Sequence, residues 1–204
     1  MSSTDREKQT VDFYDQKAEV WVAAHGGNEK TSSWQSEMER FHELLPSGKV
    51  LEIGSGAGKD AEALIKMGYE YTGTDASGGL IKIAQKRNPQ ATFRHVEVHE
   101  LDIPEHKFDG FWTAATLLHI PKNRIDEALQ RIKTQIKSGG IGFITMKAGA
   151  GEREDPETGR WYAFYSKEGF QAVLERNGFC VIEEKNRKGK KDWWLCFWVK
   201  VTER

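Results

Sequence analysis

The segment LEIGSGAGKD, residues 51–60, places three glycines among small residues directly after a short apolar run. Glycine has no Cβ and tolerates positive φ, so such a loop lets the backbone approach a ligand closely. The spacing excludes the phosphate-binding loop of nucleoside triphosphatases. That motif needs a glycine where Ile53 stands and a serine or threonine where Asp60 stands.

A second feature with chemical potential is Asp75, at the end of the next apolar run. An acidic residue about 20 residues beyond a glycine loop is placed to bind ribose hydroxyls. The dinucleotide fingerprint spaces its glycines as G-x-G-x-x-G, whereas Gly54, Gly56 and Gly58 are spaced as G-x-G-x-G, with Glu52 upstream. The pattern therefore predicts a ligand that contains a ribose and disfavours a nicotinamide cofactor.

Strand-like and helix-like segments alternate along the middle of the chain and must position this loop. Hydrophobic periodicity predicts strands at 49–54, 69–75, 91–98, 108–117 and 141–147, and helices at 59–68, 78–89 and from Pro121 to about 138. Such alternation is typical of a parallel sheet with helices on both faces. A further helix capped by Ser166 and two strands at 179–186 and 192–201, joined by RKGKK, indicate a final hairpin.

The predicted fold is therefore α/β, a doubly wound, seven-stranded, mostly parallel sheet with a C-terminal antiparallel hairpin. The first 45 residues are expected to be helical. The last strand carries apolar side chains at successive positions, so it is expected to be buried on both faces.

Composition narrows the class of protein. The 204 residues include 30 basic and 31 acidic side chains, a formal net charge of −1, so no strong field favours nucleic acid or a membrane surface. Cys180 and Cys196 have no metal-ligand spacing and are expected to be buried thiols, and no metal site is expected. The N-terminus is polar and no apolar run approaches roughly 20 residues, so a cytoplasmic protein is expected.

Four segments in a fixed order carry a family resemblance: VLEIGSGAGKD, GTDAS, FDGFWTAATLLHIP and IKSGGIGFITMK. They resemble the motifs of the class I S-adenosylmethionine-dependent methyltransferases. The resemblance covers about residues 45–200, and GEREDPETGRWYAFYS is similar to small bacterial members. It implies a Rossmann-like methyltransferase fold, S-adenosylmethionine as cofactor and S-adenosylhomocysteine as product.

The resemblance also implies the residues that hold the cofactor. In the family, an acidic residue near the third strand meets the adenine amine; Glu97 has this position beside Val98, with Asp102 as the alternative. The backbone at 113–115 is expected to hold the methionyl ammonium. The predicted cofactor-binding residues are Tyr14, Trp21, Glu52, Gly54, Ser55, Gly56, Gly58, Asp75, Ala76, Glu97, Val98, Thr113, Ala114 and Ala115.

The N-terminal region resembles a lid that is common in the family. Tyr14 and Trp21, in FYDQKAEVW, would then close over the cofactor, and ordinary helix packing is the alternative. The predicted organisation is a helical lid at 1–45 and an S-adenosylmethionine-binding methyltransferase domain at 46–204.

Residues after the fourth and fifth strands are candidates for the acceptor site. His119 could act as a general base, or it could be a loop histidine bonded to backbone. Arg160 could pair with an acceptor carboxylate or with Glu152, and the aromatic run after it could line the site or pack the core. The predicted substrate-binding residues are His119, Arg160, Tyr162 and Tyr165.

The sequence thus predicts an enzyme that methylates a nucleophilic atom of a small molecule, with no membrane partner. Methylation of a macromolecule such as tRNA or protein is one alternative, supported only by the basic run at 185–191. A non-catalytic sensor of S-adenosylmethionine or S-adenosylhomocysteine is another.

Overall fold

The computed structural model describes residues 2–25, 33–104, 107–190 and 192–203. The helices are α1 (Ser3–Gln16), α2 (Ala18–Ala24), α3 (Gln35–Leu44), α4 (Lys59–Lys66), α5 (Gly78–Arg87), α6 (Ile125–Gln135) and α7 (Lys167–Arg176). The strands are β1 (Lys49–Ile53), β2 (Glu70–Asp75), β3 (Thr92–His95), β4 (Phe108–Thr113), β5 (Ile136–Ala148), β6 (Glu152–Glu154), β7 (Trp161–Tyr165), β8 (Phe179–Lys188) and β9 (Trp193–Val201).

One sheet organises these elements. Strands β3, β2, β1, β4 and β5 lie side by side in that order and are parallel. Strand β9 runs antiparallel along β5 and pairs with β8, which forms the final hairpin. Near its C-terminal end, β5 pairs instead with β7 in parallel, and β6 pairs with β7 in antiparallel fashion.

The doubly wound architecture predicted from the sequence is confirmed, and all seven predicted strands are present. The described residues form nine strands, because the aromatic segment 161–165 and a short segment before it become β7 and β6. The third strand ends at His95 rather than at 98, because a 3₁₀ turn follows at Val98–Glu100. Helix α6 begins at Ile125, after a turn closed by the Arg124 N–H donating to the Pro121 carbonyl (2.8 Å).

A hydrophobic core covers each face of the sheet. On one face, Leu64 of α4 and Phe41 of α3 pack with Trp112 and Phe143 from the central strands. On the other face, Leu129 of α6 and Phe170 of α7 pack with the neighbouring positions of the same strands. Two buried faces explain why these strands carry apolar residues at successive positions rather than in alternation.

The C-terminal hairpin is anchored to α3. Strand β9 is buried on both faces from Leu195 to Val199, as predicted, and Trp193 at its start is 53% exposed. Two basic residues of the hairpin, Lys185 and Arg187, lie 3.4 and 3.5 Å from the carboxylate of buried Glu37. Both cysteines are free thiols, and Cys180 is exposed rather than buried as expected.

Helices α1 and α2 extend to the C-terminal ends of the parallel strands. The Trp161 N–H donates to Thr10 Oγ1 (2.9 Å), which ties α1 to β7. Near the other end of α1, Asp15 Oδ1 accepts from Gly79 N (2.6 Å) and Ser77 Oγ (3.1 Å). The N-terminal helix therefore bridges the β7 side and the α5 side of the sheet. None of the helices in these described ranges combines the length and apolar character that crossing a membrane requires.

Candidate active site

A cavity of about 290 Å³ lies at the C-terminal ends of β1, β2 and β4, beneath α1 and α2. The switch point of a doubly wound sheet is the usual place for a ligand, because loops diverge there. The cavity is lined by Glu7, Thr10, Val11, Tyr14, Trp21, Ile53, Gly54, Gly56, Thr74, Asp75, Ala76, Ser77, Leu80, Val96, Glu97, Val98, His99, Ala114, Ala115, Thr116, His119 and Ile120.

The three loop glycines all have left-handed backbone conformations, but their surroundings differ. A Cβ on Gly54 would collide with the side chain of Thr116, and one on Gly58 would come within 2.7 Å of the Asn88 amide nitrogen. A Cβ on Gly56 would meet no protein atom within 4 Å, and Gly56 lines the cavity. Only Gly56 therefore keeps space open for a ligand, whereas Gly58, which does not line the cavity, permits close packing against α5.

Asp75 is oriented by the glycine loop itself. Its carboxylate accepts from Gly56 N and Ser77 N, each at 2.8 Å. Burial raises the pKa of this carboxyl above its ordinary value, and the two amide hydrogen bonds counteract that rise. A carboxylate has about four lone-pair sites, so both oxygens retain acceptor capacity toward the cavity for the hydroxyls of a ribose.

A second cavity of about 190 Å³ adjoins the first and shares Trp21, Gly54, Gly56, Leu80 and Ala114 with it. Its wall includes Glu52, Asp60 and Lys59 at the start of α4. Burial, and then the nearby Asp60, raise the pKa of Glu52 well above its ordinary value, and the carboxyl is hydrogen-bonded to the Tyr71 hydroxyl. Acidic and basic groups in one small space suit a zwitterion such as the amino-acid end of S-adenosylmethionine.

The residues expected at the adenine are partly assembled by the structure. Glu97 and Val98 line the first cavity, whereas the alternative acid, Asp102, does not line it. The geometry therefore favours Glu97 over Asp102.

The segment after β4 also reaches the cavity. Ala114 and Ala115 line it, and Ala115 has φ of +56°, the only positive φ at a non-glycine among the described residues. The Ala115 N–H donates to Thr145 Oγ1 (2.7 Å). Thr113 is fully buried and does not line the cavity. A methionyl ammonium is a donor, so only carbonyl oxygens of this segment could hold it.

His119 belongs to a chain of hydrogen bonds that closes one end of the cavity. Its Nδ1 lies 2.6 Å from the Trp161 carbonyl, which can only accept, so Nδ1 carries the proton. Its Nε2 lies 3.0 Å from the Tyr14 hydroxyl, which in turn accepts from Arg160 Nη1 (2.8 Å). Burial lowers the pKa of His119 to about 3, so the ring is neutral and Nε2 is an acceptor.

The other predicted acceptor residues differ in position. Tyr162 has its ring centroid 4.7 Å from that of His119, directly behind the cavity wall. The Tyr165 hydroxyl is buried and has no hydrogen-bond partner among the residues that the structure describes, and its ring packs on Phe170. The structure thus brings Tyr162 and Arg160 to His119 but does not bring Tyr165. Arg160 does not pair with Glu152, whose carboxylate accepts from Lys122 N and Trp161 Nε1.

Several lining residues were not anticipated from the sequence. Glu7, Thr10 and Val11 join Tyr14 on one face of α1, at the three- and four-residue spacing of a helical stripe. That spacing is the signal that could have revealed them. His99 reaches the wall through the 3₁₀ turn after β3, and its Nε2 lies 3.0 Å from Glu7. Across the described ranges, no group of three or more histidine, cysteine or acidic side chains could hold a metal ion.

The buried, neutral His119 gives a testable dependence of stability on pH. The unfolded chain binds a proton near the ordinary pKa of 6.5, while the folded protein does so only near 3. This contribution is complete above that ordinary pKa and is lost as the pH falls, with a slope of up to about 1.4 kcal/mol per pH unit. We expect the stability advantage of the wild type over His119→Gln, measured by urea unfolding, to shrink from about pH 7 to about pH 5. A constant difference would contradict a buried neutral ring.

Comparison with known proteins agrees with this geometry. Residues 50–140 match a family model described as a methyltransferase domain. An uncharacterized protein of Methanocaldococcus jannaschii is 30% identical over 187 residues, which cover 89% of this chain and 80% of that protein. The ubiquinone biosynthesis O-methyltransferase of Alkalilimnicola ehrlichii is 29% identical over 108 residues, or 50% of this chain and 43% of that protein.

The fold is shared with a solved enzyme. The 1,6-didemethyltoxoflavin-N1-methyltransferase of Burkholderia thailandensis, with S-adenosylhomocysteine bound, superposes with a TM-score of 0.83 over 100% of this chain and 92% of its own, at 18% identity. The chain belongs to the class I S-adenosylmethionine-dependent methyltransferases. It is an enzyme, and its cofactor is S-adenosylmethionine.

Proposed function

We propose that this enzyme methylates a nucleophilic atom of a small molecule that enters beside His119. The observation that carries the proposal is the continuity of the cavity. It begins at Asp75 and the glycine loop, is covered by α1, and ends at the hydrogen-bonded group of His119, Tyr14 and Arg160.

The residues of the two adjoining cavities fit the parts of the cofactor. Asp75 would accept from the ribose hydroxyls, and Glu97 would accept from the adenine amine. The acidic and basic groups around the second cavity would hold the amino-acid end. When bound, S-adenosylmethionine supplies an electrophilic methyl group on its sulfonium.

The groups at the other end of the cavity can position an acceptor and take its proton. An acceptor hydroxyl close to the Tyr14 hydroxyl would meet the Nε2 lone pair of His119, which could take its proton. Burial keeps the His119 ring neutral at neutral pH, but its low pKa makes the ring a weak proton acceptor, so a bound acceptor would have to raise that pKa for the ring to take the proton. Tyr14 and Trp21, whose ring centroids lie 5.2 Å apart, would exclude water from this end.

A small acceptor is favoured over a macromolecule by the cover that α1 forms. The helix is held to β7 through Thr10 and to α5 through Asp15, so it covers part of the cavity. The formal net charge of −1 provides no field for tRNA. The solved Burkholderia thailandensis methyltransferase has 1,6-didemethyltoxoflavin bound together with S-adenosylhomocysteine, which supports a small-molecule acceptor here.

A metabolite screen tests the proposed function. Purified enzyme and S-adenosylmethionine would be incubated with pooled small molecules, and mass spectrometry would follow S-adenosylhomocysteine together with the gain of one methyl group. We expect turnover of at least one metabolite and no methylation of tRNA or protein. Methylation of a macromolecule alone would overturn the assignment.

We further propose that, within the region predicted as a lid at residues 1–45, helices α1 and α2 tighten when cofactor binds, whereas α3 packs in the core through Phe41. Tyr14 and Trp21 line the cavity, so a ligand there adds contacts to both helices. Amide hydrogen exchange at residues 2–25 should slow in the presence of S-adenosylhomocysteine. Exchange that is equal with and without ligand would mean that the two aromatic residues are ordinary packing.

A further inference from the structure

We infer that the acceptor carries an anionic oxygen group, of the carboxylate class, and that Arg160 is its charge partner. This inference rests on the proposed function and names the substrate class for the same site. It follows from the wall behind Tyr14, where Arg160 is a buried cation that forms no ion pair with any carboxylate of the described residues.

Arg160 is 8% exposed, yet all of its hydrogen bonds within the described ranges go to neutral groups. Its Nε donates to Thr158 Oγ1 (3.1 Å) and its Nη1 donates to the Tyr14 hydroxyl (2.8 Å). Burial raises the pKa of Tyr14 above its ordinary value, so this hydroxyl does not supply a negative charge. Asp155 acts on Arg160 electrostatically, but its carboxylate accepts from Glu157 N and Thr158 N and forms no ion pair with the guanidinium.

Two other shielded basic residues, Arg124 and Lys147, do have carboxylate partners. Arg124, with a side chain 21% exposed, lies 3.0 Å from Glu7, and Lys147, 17% exposed, lies 2.7 Å from Asp192. Arg160 is more deeply buried than either. A buried charge without a counter-charge is costly, so its partner is expected to come from outside the chain.

Aromatic rings compensate Arg160 only in part. Its guanidinium carbon lies 4.6 Å from the centroid of Trp21, 4.9 Å from that of Phe13 and 5.4 Å from that of Tyr162. Such contacts attract a cation through the ring quadrupole but do not neutralise its charge. They do hold the planar guanidinium in one orientation, which favours two parallel hydrogen bonds to a carboxylate.

A second basic side chain, Lys147, lies close to this end of the cavity. Lys147 Nζ lies 4.4 Å from the Tyr162 ring centroid, and both Lys147 and Arg160 act to lower the pKa of His119, after the larger effect of burial. Tyr14 stands between Arg160 and the cavity, and its hydroxyl is the group that an acceptor anion would displace. A compact acceptor would then place its anion on Arg160 and its nucleophile near His119.

Matched pairs of carboxylates and primary amides test the inference on enzyme saturated with S-adenosylhomocysteine. The probes are benzoate with benzamide, 4-hydroxybenzoate with 4-hydroxybenzamide, and acetate with acetamide. Calorimetry should show tighter binding of the carboxylate in at least one pair. Arg160→Met should weaken that binding by about 10- to 100-fold, the range expected for lost hydrogen bonds to a charged group. Arg160→Lys should retain part of it.

Arg153→Met is the matched control, because Arg153 is exposed and also lies over a ring, 3.9 Å from the Phe164 centroid. It should bind the carboxylates as the wild type does. Equal affinity for acid and amide in every pair, or unchanged carboxylate binding in Arg160→Met, would overturn the inference. If S-adenosylhomocysteine itself does not bind, the proposed function fails instead, so the two failures are distinct.

Discussion

Replacement of Gly56 by valine should abolish binding of S-adenosylmethionine and S-adenosylhomocysteine. Gly56 has φ of +52°, and a Cβ there meets no protein atom within 4 Å, so the new side chain enters the ligand cavity. The same residue donates its N–H to Asp75, and a strained backbone would disturb the carboxylate that we propose binds the ribose. Isothermal titration calorimetry with S-adenosylhomocysteine should show no detectable heat of binding in Gly56→Val.

Gly151→Val separates this effect from backbone strain. Gly151 has φ of +73° and equally open space around its Cβ, but it lies in the turn between β5 and β6, outside both cavities. The conformational strain of a branched residue with a left-handed backbone, roughly 1–2 kcal/mol, is thus the same in the two variants. Wild-type affinity in Gly56→Val, or loss of affinity in both variants, would contradict the role given to Gly56.

Turnover should fall by about 10²–10⁴-fold in His119→Ala, the range for loss of a general base, once an acceptor is known. The affinity for S-adenosylmethionine should change little, because Asp75 and the glycine loop remain. A fall in kcat with nearly constant cofactor affinity is the signature of a group that acts on the acceptor. Single-turnover rates and calorimetry on the same variant measure the two quantities separately.

His42→Ala is the matched control for this variant. His42 Nδ1 lies 3.1 Å from the Tyr69 hydroxyl, so it is also a histidine bonded to a tyrosine, but it lies on α3 and lines neither cavity. Its replacement should leave turnover unchanged. If His119→Ala lost only a few-fold in rate, positioning of the acceptor would account for the reaction without a base.

The sequence was sufficient to predict the central sheet and the position of the glycine loop because both depend on local signals. Strands buried on two faces produce short apolar runs, and helices that cover them produce three- and four-residue spacing. The loop from Gly54 to Gly58 and the acid at Asp75 follow directly from the ends of β1 and β2. Parallel strands bring these ends to one edge of the sheet, so the sequence spacing already predicts that the glycine loop and Asp75 lie close together.

Tertiary contacts decided which of the three loop glycines faces the cavity and which two pack against other side chains. Gly54, Gly56 and Gly58 are indistinguishable by type and spacing, yet they face Thr116, the ligand cavity and Asn88 respectively. Thr116 and Asn88, the neighbours of Gly54 and Gly58, lie 30 or more positions further along the chain. No local pattern encodes which side of a turn faces a ligand.

The group of side chains at the proposed acceptor end was decided by tertiary structure alone. Tyr14 and His119 are separated by 105 positions, and Tyr14 and Arg160 by 146, yet their side chains share one chain of hydrogen bonds. The aromatic run at 161–165 was ambiguous between wall and core until it paired with β5 as β7, which turned Tyr162 toward His119 and buried Tyr165 elsewhere. Sequence determines which residues are capable of this chemistry, whereas long-range pairing determines which of them meet, because contact and burial depend on neighbours remote in the chain.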